Sequence, residues 1–142
     1  MFRWLMIGVA VLAVMVAQHS ATGTEPDNSP IVGNWNWIRS CSDIPVDCEY
    51  PDSSHPYQTL WFHGDSSYAW YVGDEQHARG RYHLEVREVA PDSTAEVVVF
   101  DGGSPSVFGY CIIDFVNGNT LILRDPCWYG FIYVYHRILW IF

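Results

Sequence analysis

Clusters of turn-forming residues cut residues 57–138 into short apolar segments, and this spacing constrains the fold more than any other feature. Gly64-Asp65-Ser66-Ser67, Gly73-Asp74-Glu75-Gln76, Ala90-Pro91-Asp92-Ser93, Asp101-Gly102-Gly103-Ser104-Pro105 and Asn117-Gly118-Asn119 are the interruptions. Each combines residues that tolerate positive φ or close local hydrogen bonds. The longest stretch between them has a period of two. Ala78, Gly80, Tyr82, Leu84 and Val86 alternate with His77, Arg79, Arg81, His83, Glu85 and Arg87. That pattern is a half-buried strand with one apolar and one charged face. Gly80 inside it predicts a bend or a close backbone approach, as a tightly curved sheet needs.

Extending the reading in both directions gives eight strands: Gly33 to Ser40, Tyr57 to His63, Tyr68 to Val72, the alternating stretch, Ala95 to Phe100, Val107 to Val116, Thr120 to Arg124 and Phe131 to Ile138. On the first, Trp35, Trp37 and Arg39 share one face. Residues 41–56 read as a long loop, the natural lid over an open end. No amphipathic helix is predicted in the folded part. The fold class is therefore all-β. Consecutive antiparallel strands joined by hairpins suggest a small eight-stranded up-and-down barrel, because closure removes exposed edges. A sandwich also fits the strand count. The apolar tail Ile138–Phe142 is expected to continue the last strand into the core.

The start of the chain reads as an export signal. Arg3 precedes an apolar run of 14 residues, Trp4 to Ala17, which is short for a membrane span. Residues 1–23 are read as a signal peptide, 24–30 as a linker and 31–142 as one domain. The expected location is secreted or periplasmic, with no stable membrane anchor once the signal is removed. The formal charge is −9, and all seven basic residues are arginine. Such a chain is poorly suited to nucleic acid or anionic membranes. In an exported chain, Cys41, Cys48, Cys111 and Cys127 suggest two disulfides. Cys41 and Cys48 enclose a small loop. The turn at 116–120 folds Cys111 back towards Arg124–Pro126, close to Cys127. The favoured pairing is 41–48 with 111–127.

Gly33-Asn34-Trp35 on the first strand and Arg137 on the last resemble the structural motif of lipocalin-like, or calycin, barrels. Thr59-Leu60-Trp61-Phe62, Gly80-Arg81-Tyr82, Asn117 to Leu123 and Tyr133-Val134-Tyr135-His136-Arg137 add to that resemblance, in the order expected of short secreted bacterial domains. It spans about residues 31–138. It implies that Trp35 plugs one end of the barrel, with Arg137 packed across its ring and Gly33 alongside. A guanidinium over an indole gains a cation–π contact and can still donate hydrogen bonds.

The inward set expected from this arrangement is Leu60, Phe62, Tyr68, Trp70, Tyr82, Leu84, Tyr110, Ile112 and Tyr133. These residues either line an apolar pocket with a few phenols or simply form the core. His63, Asp65, His77 and His83 carry no metal-ligand spacing, so no metal or cofactor is expected. The carboxylates at 43/47 and 74/75 lie in loops, without the facing geometry that hydrolysis needs. No nucleophile elbow or phosphate-cradling loop occurs. The sequence points away from an enzyme. It points towards non-covalent binding of a small hydrophobic or amphipathic molecule, with the Cys41–Cys48 loop as gate. The alternative is an envelope interaction or inhibitor module whose acidic loops, Asp43 to Asp52, dock a basic protein partner.

Overall fold

A computed structural model describes residues 29–43, 46–127 and 129–139. The expected signal peptide and residues 24–28 of the linker lie outside these. Nine strands follow in chain order: β1 (Gly33–Asp43), β2 (Val46–Glu49), β3 (Gln58–Phe62), β4 (Ser67–Val72), β5 (Glu75–Ala90), β6 (Ser93–Phe100), β7 (Tyr110–Val116), β8 (Thr120–Arg124) and β9 (Phe131–Arg137). Every neighbour is antiparallel. The order is β2-β1-β3-β4-β5-β6-β7-β8-β9, and β9 also pairs with β1. The sheet therefore closes into an eight-stranded up-and-down barrel, with β2 as an extra strand on the upper half of β1. A sandwich is excluded.

The strands are staggered. The first half of β5 pairs with β4, from Val72↔Glu75 to Ser67↔Arg81, whereas the second half pairs with β6, from Tyr82↔Phe100 to Ala90↔Ser93. The far end of the β5–β6 hairpin thus runs beyond the cylinder, which is why Val86 is 72% exposed despite its apolar parity. Up-and-down order places the β3–β4, β5–β6 and β7–β8 turns at one end, the floor. The β4–β5, β6–β7 and β8–β9 connections and the β1–β2 hairpin lie at the other, the roof.

Inside, one contiguous apolar cluster draws on all eight barrel strands. It includes Trp35, Trp37, Leu60, Phe62, Tyr68, Ala78, Tyr82, Val98, Phe100, Cys111, Leu121, Leu123 and Tyr135. Edge-to-face contacts link Phe62 to Tyr82 and Tyr68 to Phe100, at 4.8 and 4.9 Å between ring centroids. Such pairs stabilise beyond their area burial. Gly80 is explained by crowding. A Cβ there would strike the Asp101 carboxylate and the Tyr68 ring, because the chain leaving β6 runs back along β5 at this point.

Several sequence expectations are corrected. The register of β1 against β9 shifts between Trp37 and Arg39. The bulge turns Arg39 outward and puts Ser40 inside, where its Oγ accepts from Trp37 Nε1 at 2.7 Å. Residues 41–56 are not all loop, since β1 continues to Asp43 and folds back on β2. Val107–Gly109 do not join β7. They belong to the β6–β7 loop, and Val107 is 93% exposed. Leu139 in the tail is 66% exposed, not core, and residues 140–142 lie outside the described region.

Candidate functional site

At the floor, Arg137 lies over the Trp35 ring, its guanidinium carbon 4.3 Å from the ring centroid. Its two terminal nitrogens donate to Val32 O at 2.9 Å and Pro30 O at 3.0 Å. Trp35 is fully buried and donates from Nε1 to Ile31 O at 2.7 Å. Gly33 has φ +147°, and a Cβ there would sit 2.5 Å from Arg137 Nη1. Glycine is thus needed both for the backbone angle and for the guanidinium's seat. The three residues meet as expected.

The roof is closed differently. The β6–β7 loop, residues 101–109, is drawn across the opening by hydrogen bonds to inward-facing tyrosines. Gly102 N donates to Tyr68 Oη at 3.0 Å, and that hydroxyl donates to Gly103 O at 2.7 Å. On β9, Tyr133 Oη lies 3.4 Å from Pro105 O, a contact that competes with the nearer Asp125 carboxylate for its single proton. The lid is this loop. The Cys41–Cys48 segment, expected as a loop over the mouth, is a hairpin at the same end of the barrel, paired with β1.

Beneath the lid sits a small polar group. Asp125 follows β8 and is 4% exposed. Its Oδ2 accepts from Phe131 N at 3.0 Å, and both carboxyl oxygens lie 3.3 Å from Tyr133 Oη. Ser106 descends from the lid and hydrogen-bonds the Cys111 thiol. Burial, reinforced by Asp125, pushes that thiol up to about 12. Burial also raises Tyr133 and Tyr135 above the ordinary phenol range, with Asp125 and Cys111 acting in the same sense. The Tyr135 hydroxyl is buried without a hydrogen-bond partner among the described residues.

Of the nine expected inward residues, Leu60, Phe62, Tyr68 and Tyr82 are in the core, and Trp70, Leu84 and Tyr133 pack against it. Tyr110 and Ile112 are placed on the wrong face by the sequence reading. Val98 pairs with Cys111, so Cys111 and Ile113 face the main cluster; Ile112 is buried at 3% but lies on the other side of the sheet, opposite the equally buried Val97. Tyr110 instead packs under Arg87 on the outer surface, 4.3 Å from the guanidinium carbon. Cys41 and Cys48 form a disulfide, a bond that persists in oxidising surroundings. Cys111 and Cys127 are free thiols. Cys111 lies inside the barrel beside Ser106, whereas Cys127 sits in the β8–β9 turn under Gly130. Sequence reasoning missed Asp125, Ser106 and Tyr135. Asp125-Pro126 looks like an ordinary turn, but Tyr135 shares its parity with Tyr133 and Arg137 and could have been found by alternation.

No family model matches this sequence, and neither a curated protein nor a solved structure matches it.

Proposed function

We propose that this chain is an exported, lipocalin-like barrel that holds a small hydrophobic or amphipathic molecule without covalent chemistry, under the 101–109 lid. The observation that supports the reading is the buried Tyr135 hydroxyl, without a partner among the described residues, near the Tyr133–Asp125 pair in a mostly apolar interior. An unsatisfied buried hydroxyl costs about 1–3 kcal/mol, which a guest's polar atom would relieve. A guest with one hydroxyl end fits best, since it can donate to a carboxyl oxygen and accept from a phenol. The barrel is narrow and rich in core side chains, so the guest is small and the lid lifts to admit it. Titration with a fluorescent lipid analogue should show saturable binding at one equivalent. Tyr135→Phe should weaken a hydroxyl-bearing guest and spare its hydrocarbon counterpart. Absence of saturable binding would sink the proposal.

A second reading has its own observation. The stapled β1–β2 hairpin stands off the barrel and exposes Val46 and Tyr50 beside the exposed acids Asp47, Glu49 and Asp52. Apolar anchors ringed by acids suit a basic protein partner in the cell envelope or outside it. Pull-down yield that falls with salt, and falls again on Tyr50→Ala, supports this reading. Yield indifferent to both removes it.

A further inference from the structure

An open depression of about 480 Å3 lies at the floor, outside the cylinder, lined by Val32, Gly33, Asn34, Phe62, His63 and residues 137–139. That volume is inside the roughly 300–1,000 Å3 typical of small-molecule sites. Its chemistry differs from the rest of the surface. The chain carries −9 overall, yet no aspartate or glutamate lines this hollow, and both of its titratable side chains, Arg137 and His63, are basic. Among the described residues, Arg137 makes no ion pair. It spends one donor on Val32 O and one on Pro30 O, while its Nε is buried without a partner. A guanidinium has five N–H donors, so this one is under-used. Arg87 and Arg124 are paired with Glu85 and Asp114, while Arg39, Arg79 and Arg81 share with Arg137 the lack of an ion pair among the described residues. Asp65, the acid near His63, does not line the hollow; it accepts from Ser67 N at 2.9 Å and Oγ at 2.5 Å and keeps its charge, which His63 and Arg81 stabilise. The remaining lining is apolar apart from Gly33 and the Asn34 amide, with Val32, Phe62, Ile138 and Leu139, and Leu139 stands 66% exposed.

We propose that this depression is a second binding site, for a medium-chain aliphatic carboxylate whose head sits on Arg137 and His63 and whose chain lies over Ile138 and Leu139. The head gains a charge-assisted hydrogen bond from a guanidinium already held rigid by Trp35 and two carbonyls, so little ordering is lost on binding. The tail covers apolar surface that the fold leaves in water. This site is independent of the barrel interior, and its failure would leave the lid-covered site untouched.

The test is titration of the full chain with sodium octanoate, followed by amide NMR, with octan-1-ol as the control. Octanoate should shift Gly33, His63 and Leu139 together, and octan-1-ol should bind about tenfold more weakly or worse, as loss of a charged hydrogen bond implies. His63→Glu and Leu139→Glu each place an acid in the hollow at an exposed position. Both should weaken octanoate by about tenfold or more while leaving the melting temperature unchanged, because neither side chain is in the core. Shifts confined to interior residues such as Leu60 and Tyr135, equal binding of acid and alcohol, or indifference to both variants would overturn the proposal.

Discussion

The two ends of this barrel are closed by different physics. The floor is a stack: Trp35 is fully buried, Arg137 lies across it, and the hydrogen bond from Arg137 to Val32 O joins residues 105 apart in sequence. The roof is a loop held by phenols, with Tyr68 gripping Gly102 and Gly103 and Tyr133 touching Pro105. The floor couples the beginning and end of the domain through packing. The roof relies on hydrogen bonds each worth about 0.5–1.5 kcal/mol net. A closed barrel needs a permanent plug at one end only. Under the proposed function the weaker closure is the one that opens, and near it lies Asp125, at 4% exposure a buried carboxylate.

The largest effect should come from removing the plug. Trp35→Ala is expected to cost about 3–5 kcal/mol, since it empties the floor and strands the guanidinium. Urea denaturation would show it. Tyr133→Phe at the roof should cost less, about 1.5–3 kcal/mol, because it takes a donor from the buried Asp125 carboxyl but leaves the ring in place. Comparable losses from the two would erase the asymmetry.

Alkaline pH should attack the roof side next. Cys111 is raised from an ordinary 9.0 to about 12 by burial. The unfolded chain ionises this thiol first. Stability is therefore intact below about pH 9 and is lost as pH rises towards 12, by up to about 4 kcal/mol. Tyr133 and Tyr135 act in the same direction above about pH 10. Denaturation midpoints between pH 8 and 10.5 should fall for the native chain and fall less for Cys111→Ala. An identical alkaline decline in both would remove Cys111 as a cause.

The floor was more legible in the sequence than the roof, for a physical reason. Gly33, Trp35 and Arg137 each have one rigid requirement: a positive φ without a Cβ, a large planar plug, and a planar cation to cover it. The strand faces were also readable wherever alternation ran unbroken, as in β5. Parity failed where the backbone inserts a residue. The bulge after Trp37 swapped Arg39 for Ser40, and Tyr110-Cys111-Ile112-Ile113 is apolar at every position, so alternation could not choose which side faces the main cluster. No local pattern announces a bulge, because it is set by closure of the whole sheet. The roof was invisible because its glycines and prolines read as a generic turn, and its grip comes from tyrosines far away in sequence. The same ambiguity made Cys111 look like a partner for Cys127.

Reduction of the Cys41–Cys48 bond separates two claims about the mouth. Closing so short a loop contributes at most about 2.5 kcal/mol by chain entropy. Because β2 pairs only with β1, the loss should appear as faster amide exchange in residues 46–49, with a small change in overall melting. Ligand on-rates should be unaffected. A reduced protein that takes up its guest faster would restore the hairpin as the gate and demote the 101–109 loop.

The smallest and most local effect belongs to Tyr68→Phe. The ring stays in the aromatic cluster with Phe100, so packing is preserved. What disappears is one hydroxyl that both accepts from Gly102 N and donates to Gly103 O. The loop's backbone groups then turn to water, and the net loss should be about 1 kcal/mol. Its distribution matters more than its size. Hydrogen exchange should quicken across residues 102–109 while Trp35 and its β3 and β9 neighbours stay protected, since among the described residues no hydrogen bond joins the Trp35–Arg137 stack to the lid. Guest association should accelerate as the open lid becomes more populated, and dissociation should accelerate with it, leaving affinity nearly level. If exchange instead rose evenly around the barrel, lid and floor would be one cooperative unit, and the barrel would have no separate door.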